Sequence, residues 1–396
     1  MKIFEELKLR GLIKQTTNDE HISSLLDKDS VNFYIGFDPT ADSLHVGHLL
    51  QVITAKRLQN AGHNPIMLIG GATALIGDPT GKSEARQILS EFEINKNAKL
   101  FENQIKSIFK TEVKLINNIE WFKEKNFLDI IRDLGPFFSV NNMLRAECFK
   151  SRFEKGLSFL EFNYMILQSE DFRQLFLNQK CLIQIGGDDQ WSNILAGIDL
   201  IHKKEKGKAY GITVPLLIKS DGTKMGKTEK GAVWLDENKT SIFDFFQFWR
   251  NISDDQVIKC FKMLTFLSLE EIDKIPFNNT HDINSAKKTL AHCITEIVHG
   301  KAKADLALEQ SKSIFEDKSF DESFILKDSI NIVDLLVLCK FAKSKSDARN
   351  LINGNGISIN QKNIKDIHLL VSEAEFGKHF VIKKGKKNYL KITFEK

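Results

Sequence analysis

Up to about residue 220 the chain alternates short apolar runs with amphipathic stretches. Val31–Phe37, Pro65–Ile69, Val113–Ile116 and Cys181–Ile185 read as strands, and Val46–Asn60 and Gln190–His202 as helices. Strands separated by helices predict an α/β fold with a parallel sheet, in which ligands sit beyond the carboxyl ends of the strands. Glycine-rich polar segments do follow the runs: Ile35–Thr40, Gly70–Thr73 and Ile185–Asp189. From 240 to 318 only helical spacing appears, in Ser241–Asn251, Asp254–Leu264 and Ala286–Leu308, which predicts a small helical domain. A polar linker over 319–328 and a compact α+β unit over 329–396 follow, the latter with two short helices, Gly354–Asn360 and a basic hairpin near Lys383–Lys387. Met1–Gln15 reads as the first helix.

Composition adds limits. At 396 residues and 42% hydrophobic, the chain can build two or three cores, which excludes a disordered or fibrous protein. No run of about eighteen apolar residues predicts a membrane span. Five scattered cysteines form no Cys-x-x-Cys pair and predict reduced thiols, a cytoplasmic location and no bound metal. The net charge of +4 is modest, but residues 329–396 hold 13 Lys+Arg against 6 Asp+Glu, a local +7 that suits a polyanion.

Two motifs point to chemistry. In Asp38–His48, His45 and His48 lie three apart at a helix start, where amide groups attract phosphate, and Gly47 leaves room for a flat base. Incidental histidines or a metal pair are the alternatives. In Asp221–Thr228, Lys224 and Lys227 are likewise three apart in a glycine-bearing loop, a pattern that also fits a solvated turn.

The two motifs stand about 180 residues apart across the α/β region, and as a pair they resemble the HIGH and KMSKS signatures of class I aminoacyl-tRNA synthetases. Tyr34–His45, Gly70–Thr73 through Gly77–Lys82, Gln184–Trp191 and Lys224–Thr228 all look like segments of the bacterial tyrosyl-tRNA synthetase family. The resemblance implies a Rossmann-like catalytic domain over 1–239, with a dimer-interface insert near 135–162 and a signature loop at 221–228. It also implies activation of tyrosine by ATP, with Mg2+ accompanying the phosphates, and loading of tyrosine onto its tRNA.

Tyr164, Gln168 and Asp171 fall at i, i+4 and i+7, on one face if the segment is helical. By resemblance Tyr164 and Gln168, with Asp78, hold the substrate ammonium, and Asp171 and Tyr34 bond the phenolic hydroxyl. Phenylalanine would leave that buried pair unsatisfied. Asp38, Thr73 and Asn118 complete the amino-acid side. Tyrosine's carboxylate is already ionised, so activation needs no general base, only positioning and charge stabilisation. Thr40, His45, Lys82, Arg86, Lys224, Lys227 and Thr228 are the implied pyrophosphate group. Gly36, Gly47, His48, Gly187, Asp189, Gln190 and Lys227 are implied to hold ATP and the adenylate.

Four departures from the family stand out. Ile35 replaces a cysteine that can contact ribose, and Glu170 an aromatic residue beside Asp171, where a carboxylate pointing inward would perturb Asp171. Asp188 and Ser192 replace small residues. Ala342–Asn360 resembles the RNA-binding domain of the ribosomal S-four type, making Ser344, Lys345, Arg349, Lys383, Lys384, Lys386 and Lys387 candidates for tRNA contact. His202, Lys203 and Lys204 are candidates for the acceptor stem, and Phe159 for the centre of a homodimer interface. The rivals are a tryptophanyl enzyme, disfavoured by Tyr34 with Asp171 because indole only donates, and a non-catalytic RNA-binding descendant, disfavoured by intact His and Lys signatures.

Overall fold

A computed structural model describes the chain outside residues 81–88, 150–155, 219–221, 229–230, 316–323, 361, 377–378, 386–387 and 395–396. Its contacts divide it into two units, Met1–Ala304 and Asp305–Lys396.

In the first unit, six strands form one sheet: β1 (Gln15–Thr16), β2 (Asn32–Phe37), β3 (Asn64–Ile69), β4 (Lys114–Asn117), β5 (Cys181–Gly187) and β6 (Tyr210–Val214). Their order is β1-β6-β5-β2-β3-β4. All neighbours are parallel except β1 on β6. The order reverses between β5 and β2, so the carboxyl ends of these two adjacent strands open a crevice. The expected strands and the helix Val46–Asn60 are present, the helix with buried side chains on most of its circumference. The N-terminal segment differs from expectation: its helix ends at Leu9, and β1 joins the sheet edge. Asp188 secures that edge, accepting from Gln15 Nε2 at 2.7 Å and Thr213 Oγ1 at 2.9 Å.

The helix Phe159–Gln179 begins with a capping box, Ser158 accepting from the Glu161 N–H while Glu161 accepts from the Ser158 N–H. One face buries Phe172 and Leu175 against Tyr34, Ile66 and Leu68, which fixes the rotation of its polar face. Past 240, the described residues through Phe315 hold helices and no strand. The single helix expected over Ala286–Leu308 is two, Thr280–His299 and Lys301–Phe315, interrupted at Gly300.

The second unit builds a five-stranded sheet in the order Lys362–Asn363, Ile357–Ile359, His379–Lys384, Asn388–Phe394, Phe324–Leu326. The helices Ile332–Leu338 and Lys345–Asn353 supply much of the rest of its core, with Ile332, Leu335, Leu336 and Ile352 wholly buried. The stretch 319–328 is therefore not all linker. Phe324–Leu326 pairs in parallel with Ile392–Phe394 and buries Leu326, so three residues within a polar surround extend the sheet.

Candidate active site

A cavity of about 480 Å³ opens at the crevice between β2 and β5. Tyr34 and Gly36 come from β2, Gln184–Gly187 from β5, Asp38 and Thr40 from the loop after β2, and Gly70 and Thr73 from the turn after β3. Tyr164, Gln168 and Asp171 project from the one helix as their spacing predicts. His45, Gly47 and His48 close one side, and Asp78, Asp189, Gln190 and Lys224 also line the space.

At the deep end, Asp171 is buried, with Oδ2 accepting from Asn118 Nδ2 at 3.0 Å and Oδ1 from Trp121 Nε1 at 2.9 Å. Burial pushes its carboxyl well above the ordinary range, the two hydrogen bonds oppose this, and the charges of Asp38 and Glu170 add to it. The Tyr34 hydroxyl is buried with no hydrogen-bond partner among the described residues. Its pKa is raised by burial first and then by Asp171 and Cys181. Gln168 Oε1 is another buried acceptor without a partner among the described residues. Tyr164 donates its hydroxyl proton to Asp38 Oδ2 at 2.8 Å, Thr73 Oγ1 donates to Asp38 Oδ1 at 2.7 Å, and Gln190 Nε2 donates to Asp78 Oδ2 at 2.7 Å.

The histidines act differently from a bare amide nest. The Gly47 N–H donates to His45 Nδ1 at 3.0 Å, the His45 N–H to His48 Nδ1 at 3.1 Å, and the Val46 N–H to the Val233 carbonyl at 3.0 Å. The amides expected to meet phosphate are thus engaged. With Nδ1 accepting, each neutral ring carries its proton on Nε2 and can donate from that edge. The rings stack, with centroids 3.9 Å apart. Gly47 is required by His45 itself, because a Cβ there would stand 2.7 Å from Cε1 of that ring.

Lys224 Nζ lies 3.5 Å from Asp189 Oδ2. Burial raises the Asp189 carboxyl and Lys224 opposes the rise. Lys82 and Arg86 lie outside the described residues, and of Lys227 and Thr228 only the backbone is described, paired with Ala232 and Gly231. Asn118 does not line the cavity. It is buried behind the wall, donating to Thr73 Oγ1 at 3.1 Å as well as to Asp171. Ile35 is core, and Glu170 points away into ion pairs with Lys125 and Arg173. Sequence reasoning missed Gln184, which lines the cavity, and Trp121, which holds Asp171 from behind the wall. Gln184, whose Oε1 has no partner among the described residues, had a signal as the one polar residue in an apolar strand; Trp121 had none.

Elsewhere, His202, Lys203 and Lys204 share the π-helical turn Ile201–Glu205, with Lys203 paired to Asp199 at 2.6 Å and Lys204 to Asp133. In the second unit Ser344 caps its helix, Lys345 pairs with Asp334 at 2.6 Å, and Arg349 is exposed. Lys383 lies over the Tyr389 ring and Lys384 donates to the Phe341 carbonyl, while Lys386 and Lys387 lie outside the described residues. Phe159 is 66% exposed and meets Phe127, itself exposed with Leu128, Ile131 and Val140. Among the described residues no group of three His, Cys, Asp or Glu gathers to hold a metal, and no helix is long and apolar enough to cross a membrane.

A parallel-sheet crevice with paired histidines and a facing lysine loop defines a class I synthetase site, and residues 26–316 match the family of class I tRNA synthetases (W and Y). Residues 312–392 match the tyrosine--tRNA ligase SYY-like C-terminal domain. The chain is 48% identical over 402 residues to the tyrosine--tRNA ligase of Acetivibrio thermocellus, covering 98% of both chains. It is also 48% identical over 405 residues to that of Clostridium tetani, covering 99% of both. The mitochondrial tyrosyl-tRNA synthetase of Aspergillus nidulans superposes with a TM-score of 0.72 at 31% identity, over 79% of this chain and 94% of that one. The chain belongs to the tyrosyl-tRNA synthetase family.

Proposed function

We propose that the cavity joins tyrosine to ATP and passes the product to tRNA, with each side chain in the role its geometry supports. The chain is a tyrosine--tRNA ligase: a carboxylate oxygen of tyrosine attacks the α-phosphorus and the bond to pyrophosphate breaks, then a ribose hydroxyl of the 3′-terminal adenosine of tRNA(Tyr) attacks the tyrosyl carbonyl and AMP leaves. The observation that carries the substrate assignment is the pairing of the unpartnered Tyr34 hydroxyl with the hydrogen-bonded Asp171 carboxylate in one buried wall. A phenol placed between them donates to Asp171 and accepts from Tyr34.

Gln168 Oε1, Asp78 and Tyr164 receive the ammonium. Because Tyr164 commits its proton to Asp38, its oxygen faces the substrate as an acceptor. His45 donates from Nε2 to the phosphates with Thr40 and Lys224, and Lys82, Arg86, Lys227 and Thr228 join them by family resemblance. Gly36, Gly47, His48, Gly187, Asp189 and Gln190 hold ribose and adenylate. Mg2+ enters with the nucleotide as part of the substrate. The exposed Phe127 and Phe159 surface supports a homodimer, and five free cysteines suit a reducing cytoplasm. The basic second unit and the 202–204 turn receive tRNA. ATP–pyrophosphate exchange with tyrosine, tryptophan and phenylalanine tests the reading: exchange with tyrosine alone is expected, and exchange with tryptophan in its place would sink it.

A further inference from the structure

We propose that Glu170 is a positioning residue for tyrosine selection, its ion pair with Lys125 fixing the segment that aims Asn118 and Trp121 at Asp171. The inference rests on the tyrosine reading of the pocket and adds to it a residue that does not touch the substrate.

Glu170 is wholly buried and does not line the cavity. A carboxylate removed from water needs cations and donors around it. Here Oε1 accepts from Lys125 Nζ at 2.6 Å and Gln174 Nε2 at 2.6 Å, and Arg173 bridges to Oε2 at 3.1 Å while also pairing with Glu205. Arg173 and Gln174 belong to the same helix as Glu170 and satisfy its charge locally. Lys125 is the partner that crosses to another element.

That element is the short stretch carrying the Asp171 donors. Asn118 and Trp121 hold the two oxygens of Asp171, and the Lys125 N–H closes a turn on the Phe122 carbonyl at 3.1 Å. Three bonds from residues 118–125 therefore grip two consecutive residues of the helix Phe159–Gln179. Neighbouring side chains on a helix diverge by about 100°, so the grip comes from two directions and fixes the stretch in both rotation and translation. Asn118 is also anchored by Thr73 Oγ1, the Ala72 N–H and its own N–H on the Ile69 carbonyl. With the Lys125 bond gone it is therefore the Trp121 end of the stretch that loses a tie to this helix, and the Asp171 carboxylate would lose part of the fixed direction toward Tyr34 on which hydroxyl recognition depends.

The test compares Lys125→Met, Lys125→Arg and Glu170→Gln in the full chain by ATP–pyrophosphate exchange with tyrosine and phenylalanine, alongside thermal unfolding. Lys125→Met is expected to raise the KM for tyrosine about five- to tenfold and lower the tyrosine-to-phenylalanine preference by a similar factor, the scale of one weakened hydrogen bond. The kcat and the KM for ATP should stay within about twofold, and Lys125→Arg should restore the preference. Lys125 is part-exposed and its removal leaves Glu170 with Arg173 and Gln174, so this variant carries the test if Glu170→Gln fails to fold. An unchanged preference in Lys125→Met, even with a lowered Tm, would overturn the proposal by reducing the pair to a stabilising one. Absence of tyrosine exchange in the unmodified chain would instead refute the functional reading itself.

Discussion

Tyr34→Phe separates substrate recognition from folding. The Tyr34 ring packs on Phe172 with centroids 5.3 Å apart and is 1% exposed, and phenylalanine preserves both. Its hydroxyl bonds no group among the described residues, so removing it breaks no hydrogen bond with them. Thermal unfolding should therefore be unchanged or shifted upward. Tyrosine, by contrast, loses one neutral hydrogen bond of about 0.5–1.5 kcal/mol, which is roughly a 2- to 12-fold rise in KM. Phenylalanine, which offers no oxygen to Tyr34, should bind as well as before or better. Exchange kinetics with both amino acids, read beside a melting curve, test all three signs at once. A Tm lowered by several degrees, or an unchanged KM for tyrosine, would refute the placement of this hydroxyl at the phenol.

Asp171→Ala removes the acceptor of the phenolic hydroxyl and leaves the buried donors of Asn118 and Trp121 without it, so kcat/KM for tyrosine should fall about 5- to 150-fold with little change for phenylalanine; a preference altered less than about threefold would place hydroxyl recognition elsewhere. A chain lacking residues 316–396 should keep adenylate formation and lose tRNA charging; equal loss of both would assign the second unit to the catalytic fold. The cut precedes Phe324 because that strand pairs only with the removed sheet. His299, packed on Phe245 at 5.0 Å, has its pKa lowered from 6.5 to about 4, chiefly by burial. A depressed histidine resists protonation in the fold, so stability should fall as pH drops from about 6.5 and level off below about 4. His299→Gln should flatten that dependence in urea titrations, and an unflattened curve would move its source to the carboxylates.

The parallel sheet was legible because each buried strand is a short apolar run ended by glycine and polar groups, and the polar face of Phe159–Gln179 because its three residues keep helical spacing. What escaped were contacts set by tertiary placement. Asp188 reads in the sequence only as a replacement of a small residue, and Glu170 as a carboxylate that an inward turn would bring against Asp171; the first fastens β1 through Gln15 and Thr213, and the second turns to Lys125. No periodicity separates these outcomes from an inward carboxylate, since one residue's rotation about the helix decides which side it faces. Phe324–Leu326 was read as linker because three residues give too short a pattern to show alternation, and parallel pairing with Ile392–Phe394 supplies what the segment lacks.

The histidine and lysine motifs read as separate signatures, yet the backbone joins them. The Val46 N–H donates to the Val233 carbonyl, the Val233 N–H to Gly226, and the Leu235 N–H to Leu44, so the segment after the lysine loop closes the start of the histidine helix. Backbone bonds leave almost no trace in sequence; here the trace is Gly226, where the φ of +85° and a Cβ that would stand 3.0 Å from Val46 Cβ disfavour a larger residue. The joining changes the chemistry. With the helix amides engaged, an anion held here as proposed would meet His45 and Lys224, which line the cavity, rather than the backbone of the helix start. A substitution at Gly226 should therefore impair both motifs together, although only one of them contains it.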